Sequence, residues 1–276
     1  MSKLTDKDEL GTRIKWYEKN FGNLEYLMPM IPTLIRLDGK TFHTFTKGLK
    51  RPYEPALSEL MIATTKFLVE ETNALIGYTQ SDEISLLLYQ PDYRSSIYMS
   101  GRTQKINSVL AAKCSTFFSE HLAEYLPAKD KLPPNKRPVF DCRCFNVPNK
   151  IEAINVFLWR EQDATRNSIS MAGQAVYSHK QLQNKSKREI HDMLHEKEIN
   201  WNDYPTFFKR GTYVQKKLMR MKAGVLAANL PEKHNFRKNP DLVIERSKVV
   251  ELDLKPLSKI SNKVEVFFEG ADAEYD

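Results

Sequence analysis

Two short acidic runs carry the residues best suited to chemistry in this chain. They are Arg36-Leu37-Asp38-Gly39-Lys40 and, 44 residues later, Gln80-Ser81-Asp82-Glu83. Two carboxylates converging at one sheet edge are the usual protein half of a two-metal phosphoryl or nucleotidyl transfer site. Magnesium prefers such hard oxygen donors and keeps several of its waters. Gly39 would let a backbone carbonyl or a phosphate come close. On this reading Asp38 and Asp82 are the metal-ligand candidates, and Asp38, Asp82 and Glu83 the catalytic candidates. Spacing alone serves equally well for Asp38 as a cap, Asp82 as a turn residue and Glu83 as a structural group.

Cations stand near these runs in sequence. Arg36, Arg102 and Lys105 are candidate phosphate binders, the last two being three apart on one helix face. Lys47-Gly48-Leu49-Lys50-Arg51-Pro52 reads as a basic, bendable loop. A solvated basic surface is the alternative for each. Further on, Lys185, Lys187, Arg188, Lys209, Arg210, Lys216, Lys217, Arg220 and Lys222 make the middle of the chain positive. Trp201, Tyr204, Phe207 and Phe208 interleave with them, as in surfaces that stack on bases, or in an ordinary core.

The elements that must position these groups follow from periodicity. Residues 31–38 read as a strand ended by Gly39. Leu57, Leu60, Met61, Thr64, Phe67 and Leu68 mark a helix over 55–72. Strands follow at 74–79 and 84–89, a helix at 96–125, and a strand at 138–147. This is β-α-β-β-α-β, an α+β ferredoxin-like palm with added helices and a C-terminal β-containing extension. Its first and third strands are central antiparallel neighbours, so the end of one lies beside the start of the other. Asp38 and Asp82 meet there. Beyond 150 the pattern predicts helices at 150–160, 163–182 and 187–197, then strands at 242–254 and 264–268. The division expected is a catalytic palm over 1–150 and an RNA-binding elaboration over 151–276, packed on it.

A chain of 276 residues, 41% hydrophobic and 28% charged, is long enough for a full core. Its net charge of +7 suits a polyanionic partner. Residues 1–8 lack the apolar segment of a secretory signal, and no run approaches the ~20 apolar residues of a membrane span. Cytoplasmic location and no membrane association are expected. Cys114, Cys142 and Cys144 suit free thiols, and His191 and His195 a solvated helix face. No nucleophile elbow, Walker lysine loop or dinucleotide fingerprint occurs, which argues against hydrolases, P-loop proteins and dehydrogenases.

The ordered set of motifs resembles the tRNA-histidine guanylyltransferase family of 3′–5′ polymerases. It comprises Arg36-Leu37-Asp38-Gly39 with Phe42-His43 and Phe45, Tyr78 with Gln80–Glu83, and Arg102 with Lys105. Phe140-Asp141-Cys142-Arg143, Trp159-Arg160 with Gln162-Asp163, and Lys209-Arg210-Gly211-Thr212 complete it. The resemblance implies a polymerase-type palm, two Mg²⁺ ions, ATP and GTP or other nucleoside triphosphates as substrates, tRNA as partner, and a homotetramer built as a dimer of dimers. It implies that Asp38, the Gly39 carbonyl and Asp82 hold the metals, and that Asp38, Gly39, Lys40, Thr41, Phe42, His43, Ser81 and Asp82 cradle a nucleotide. Arg36, Arg51, Arg102, Lys105 and Lys187 would neutralise its triphosphate. The RNA contacts it implies fall on Arg143, Arg166, Asn167, Lys209 and Arg210.

Two departures matter. Eukaryotic members carry His-Ile-Asn-Asn where this chain has Thr165-Arg166-Asn167-Ser168, so only Asn167 of that anticodon-associated segment survives. The family's lysine before the loop proline is Arg51 here, which keeps the charge but changes the geometry. The chain is thus most like the bacterial-type relatives, which extend 5′-truncated tRNA by copying the opposite acceptor strand after ATP activates the 5′-phosphate. The alternatives are guanosine addition at position −1 of histidine tRNA, a non-catalytic RNA-binding palm, and a nucleotide cyclase.

Overall fold

In the computed structural model, residues 10–21, 26–92, 94–227, 230–231 and 234–275 are described. The reading of residues 1–8 lies outside them. Helix α1 (Leu10–Phe21) precedes strand β1 (Thr33–Gly39), helix α2 (Pro55–Thr72), strands β2 (Ile76–Gln80) and β3 (Glu83–Leu88), helix α3 (Thr103–Glu120) and strand β4 (Phe140–Asn146). The β-α-β-β-α-β order is therefore present. Proline at the first turn of α2 and Asn73 in left-handed conformation after its last residue explain why that helix spans the expected residues. The helix expected over 96–125 is shorter, because Met99 and Ser100 take positive φ before α3 and His121 ends it.

Helix α4 (Lys150–Val176) is one unbroken element where two were expected. No glycine or proline stands between 150 and 172, so nothing interrupts it. The Asn149 side chain caps it by accepting from the Glu152 amide at 2.9 Å. Then come α5 (Lys187–His195), the short α6 (Thr206–Arg210), β5 (Thr212–Lys222), β6 (Val243–Leu252) and α7 (Lys263–Glu269). The strand expected over 264–268 is thus a helix. Val266 and Phe267 bury on one side of it, and Gly270 terminates it with φ near 73°.

All strand pairs are antiparallel, in the order β4-β1-β3-β2-β5-β6. The first four are the palm strands, and β5 and β6 from the C-terminal part widen the same sheet. One face packs Ile35, Leu37, Ile84 and Leu86 against α2 and α3. The other packs Leu34, Tyr78, Phe145 and Tyr213 against α1, α4 and α7 through Ile14, Phe157 and Phe267. Each such side chain contributes about 1.5–3 kcal/mol of burial. A third cluster of Ile169, Ala172, Ile190, Leu194 and Phe208 joins α4, α5 and α6. No described helix is long and apolar enough to cross a membrane.

Glu161 lies buried in α4, where its carboxylate accepts from the Leu257 amide at 2.8 Å and anchors the C-terminal segment to the sheet layer. Burial pushes this carboxyl above its ordinary range, partly offset by the Leu257 N–H and the nearby Arg210 charge. The folded state therefore holds a proton here more tightly than the unfolded chain does. Stability linked to that proton is full below the unfolded pKa and is lost as pH rises through the folded one. Glu161→Gln keeps an acceptor for Leu257 and removes the titration. Its melting temperature relative to wild type should rise as pH increases above the ordinary glutamate value of about 4.3. A pH-independent difference would show that burial does not govern this group.

Candidate active site

The end of β1 and the β2–β3 turn are bound together at the backbone. Asp38 is registered opposite Glu83, and the Gly39 amide donates to the Asp82 carbonyl at 3.0 Å. A side chain at residue 39 has no room. Its Cβ would lie 2.3 Å from the Phe42 ring and 2.9 Å from Asp82 Cβ. Ser81 takes a positive φ of 53° to make the turn and donates its hydroxyl to Asp82 Oδ1 at 3.0 Å. The Thr79 hydroxyl donates to the Glu83 carbonyl at 3.0 Å, bracing the turn's far side.

Asp82 is half-buried, and burial raises its carboxyl above the usual carboxylate range. The Ser81 hydrogen bond opposes this and the Asp38 charge adds to it. A cation held between the two carboxylates would offset both the desolvation of Asp82 and the Asp38 charge that it feels. Among the described residues no group of three or more His, Cys, Asp and Glu could hold a metal. The donors present, two carboxylates and the Gly39 carbonyl, nevertheless fit Mg²⁺, which needs few protein oxygens and fills the rest with water or phosphate.

Glu83 faces inward from this edge. Its Oε2 is 3.1 Å from the Arg36 guanidinium and 3.1 Å from that of Arg160. The Arg160 guanidinium also stacks on Trp159 at 3.9 Å. Arg36 and Glu83 thus hold each other beneath the acidic pair. Phe42 likewise offers no ring to a ligand, being packed among Phe45, Phe118 and Phe140. Lys40, Thr41 and His43 are exposed beside it, with the Lys40 amide already donating to Val139.

A cleft of about 540 Å³ opens next to the acidic edge. His43 and Ser81 line its end nearest that edge, and Lys47, Lys50 and Arg51 supply positive charge along one wall. Tyr53, Met171 and Phe207 offer apolar surface, and Gln174 an amide. The volume and mixed lining suit a nucleotide. Tyr53 packs against Tyr204, Phe207 and Phe208, so the loop bearing Arg51 is pinned to the α6 cluster. Sequence reasoning did not find Tyr53, Met171 or Gln174. Tyr53 stood next to the basic loop, whereas Met171 and Gln174 carried no local signal on a long helix.

Other candidates lie apart. The Thr103 carbonyl meets Cys144 Sγ at 3.7 Å, and Cys144 is registered opposite Ile35. Ser115, three turns on, accepts from the Phe140 amide at 2.9 Å, and Phe140 is opposite Gly39. Helix α3 therefore starts about 10 Å short of Asp38 along the strand. The structure places Arg102 and Lys105 at that distant end, and both are exposed. Lys187 reaches the Ser170 hydroxyl on α4, one residue from the cleft-lining Met171. Arg143 pairs with Asp141 at 3.3 Å. Arg166 and Asn167 both bond Asp163, each at 3.1 Å. Lys209 lies 5.6 Å over Trp201, and Arg210 donates to the Leu254 carbonyl while its own carbonyl accepts from Tyr78. The three cysteines are free, and burial pushes each thiol up, Cys144 to about 12.

The family model of tRNAHis guanylyltransferase, Thg1, matches residues 12–148. A solved bacterial tRNA(His) guanylyltransferase-like protein in complex with ATP superposes with a TM-score of 0.64 at 38% identity, covering 76% of this chain and 87% of that one. The chain belongs to the tRNA(His) guanylyltransferase family. It is accordingly an enzyme of the nucleotidyltransferase class, with the family's palm fold. A second bacterial structure of such a protein, in complex with GTP, has a TM-score of 0.64 at 30% identity and covers 91% of this chain and 94% of that one. The tRNA(His) guanylyltransferase of Candida glabrata is 27% identical over 217 residues, 73% of this chain and 89% of that protein.

Proposed function

We propose that the protein adds nucleotides to the 5′ end of truncated tRNA in the 3′–5′ direction, copying the opposite strand of the acceptor stem. The observation that carries the templated form over histidine-specific guanosine addition is the segment 165–168. Ser168 is buried and takes the Trp201 indole N–H at 3.1 Å, and the Thr165 hydroxyl donates back to the Glu161 carbonyl. Only Arg166 and Asn167 face outward, and both are bonded to Asp163. A four-residue anticodon reader has little left to read with.

The nucleotides named in the two bacterial structures, ATP and GTP, are the substrates this reading requires. ATP activates the tRNA 5′-phosphate with release of pyrophosphate, and the 3′-hydroxyl of the incoming nucleotide then displaces the activating group. Asp38, Asp82 and the Gly39 carbonyl would hold two Mg²⁺ ions. When bound, these supply charge neutralisation at the triphosphate and acidify the attacking hydroxyl. The chain itself positions the reactants. His43 and Ser81 border the acidic edge, the Lys47–Arg51 loop faces the phosphates, and the apolar wall at Tyr53 and Met171 receives the base. Residues 1–150 act as the palm and 151–276 as its RNA-binding elaboration, in a cytoplasmic homotetramer.

The test uses tRNA transcripts shortened by one or two 5′ nucleotides, each given ATP and one further nucleoside triphosphate. Templated repair predicts that the nucleotide complementary to the opposite base joins, for all four bases. Guanosine joining whatever base stands opposite would establish the −1 guanylation reading instead. Incorporation without any RNA, into a cyclic product, would make the protein a cyclase.

A further inference from the structure

Trp159 and Arg160 are consecutive residues of α4, and each meets a different part of the molecule. The Arg160 guanidinium reaches Glu83 at the start of β3, where Arg36 of β1 shares the same carboxylate oxygen. The Trp159 indole faces helix α1. Arg160 Cζ lies 3.9 Å from the centre of that ring, and Lys15 Nζ of α1 stands 5.7 Å from it. Arginine has a long, rotatable stem, and a guanidinium laid on an aromatic ring loses much of its freedom. The ring thus limits where the Arg160 charge can point. That charge, with Arg36, limits where Glu83 can sit.

Helix α1 builds the seat of the indole. Gly11, one turn before Lys15 on the same face, abuts the Nε1 edge. A Cβ at residue 11 would press on Nε1 and lie 3.2 Å from both Cδ1 and Cε2. The lack of a side chain there is what admits the ring. The helix cannot back away to make room. Ile14 is wholly buried in the cluster that holds Phe157 of α4, and Arg13 binds Glu152 of α4 at 2.8 Å. Tyr17 is buried as well, its phenol pushed up to about 12 by burial first and then by the Glu152 charge and hydrogen bond. A methyl group at residue 11 must therefore displace the indole, and the Arg160 guanidinium stacked on it.

We propose that Trp159, seated by Gly11, is a positioning residue for nucleotidyl transfer: it fixes the Arg160–Glu83–Arg36 network and, through it, the spacing of Asp38 and Asp82. The inference rests on the acidic pair being the transfer site. Glu83 is registered opposite Asp38 and follows Asp82 directly, while Arg36 precedes Asp38 by two on the same strand face. A shift of the shared carboxylate passes to both aspartates through continuous strand backbone. Trp159 does not line the cleft, so it acts on a bound nucleotide only through these groups. Residues that orient the ligands of a metal typically change its affinity, or the activity, by about 10–100-fold when altered.

Gly11→Ala, Trp159→Phe and the double variant test this. Phenylalanine lacks the pyrrole edge that the new methyl group would strike, yet keeps a ring face for Arg160. Gly11→Ala should lower kcat for 5′ incorporation about tenfold, with KM for the nucleoside triphosphate within about twofold. Its affinity for Mn²⁺, titrated by electron paramagnetic resonance in place of Mg²⁺, should fall about tenfold as well. Trp159→Phe should cost about threefold in each, since the smaller ring holds Arg160 less well. Gly11→Ala placed on Trp159→Phe should then add less than about twofold, because the two changes share one contact. Alanine is the better helix former, so α1 itself is not weakened, and every variant is assayed where circular dichroism shows it folded. A merely structural contact would lower the melting temperature and leave kcat and Mn²⁺ affinity of the folded protein unchanged. That result overturns the proposal, as does a double variant no better than Gly11→Ala. Asp82→Ala is the reference. If it binds Mn²⁺ like wild type, the acidic-pair reading fails and this inference with it; if it loses Mn²⁺ while Gly11→Ala keeps it, only the positioning inference fails.

Discussion

Asp82→Ala is expected to lower 5′ nucleotide incorporation by at least about 10²–10³-fold while leaving the protein as stable as wild type or slightly more so. The two halves of this expectation have one cause. Asp82 sits half-buried beside Asp38, with its carboxyl raised by desolvation first and by the Asp38 charge as well. Without a cation the pair repels, so deleting one member relieves the fold of an unfavourable charge. The Ser81 hydroxyl loses its acceptor, a cost of about 1 kcal/mol that works in the other direction. The backbone bond from Gly39 to the Asp82 carbonyl survives the substitution, so the turn keeps its shape. Asp38→Ala should behave alike. Incorporation assayed beside thermal melting decides the matter. Retained incorporation in either variant would remove the metal assignment, and a melting temperature lowered by many degrees would make the residue structural.

The meeting of Asp38 with Asp82 was legible because strand order alone dictates it. Once the pattern reads β-α-β-β-α-β, the first and third strands must be neighbours, and the observed register of Asp38 opposite Glu83 follows. Arg102 and Lys105 show where such reasoning stops. Spacing of three places them on one helix face, yet it says nothing about how far along the sheet that helix begins, and α3 begins short of the site. Phe42 was misjudged for a related reason, since a motif marks a segment and not which of its side chains points inward. The long strand β5 was hidden by its own sequence. Lys216-Lys217-Leu218-Met219-Arg220-Met221-Lys222 has no clean alternation, because both faces of a protruding ribbon are wet and no core imposes period two. The run 264–268 was ambiguous in the way short apolar runs are, and Gly270 just past its end was the overlooked helix stop.

Glu83, immediately after Asp82, should give the opposite result when replaced. Its carboxylate bonds both Arg36 and Arg160, whose side chains are only 17% and 7% exposed. Removing it takes away a carboxylate that two desolvated guanidinium groups share, and breaking a buried ion pair typically costs about 3–5 kcal/mol. Stacking on Trp159 keeps Arg160 from swinging out to water as relief. Glu83→Ala should therefore unfold at markedly lower denaturant concentration. Glu83→Gln retains an acceptor oxygen but not the charge, and should lose less. Activity is affected through position: Glu83 opens β3 one residue after Asp82, and Arg36 lies two residues before Asp38 on the same face of β1. Slackening this ion network lets both carboxylates move, so incorporation should fall roughly in step with stability across the two variants. Asp82→Ala, by contrast, should separate the two readouts. A Glu83→Ala protein that melts like wild type yet incorporates nothing would instead place its carboxylate among the reacting groups. The opposed behaviour of two adjacent acidic residues is the sharpest discrimination this edge of the sheet offers, because their backbones are continuous while the Asp82 carboxyl stands near Asp38 and the Glu83 carboxylate between two buried arginines.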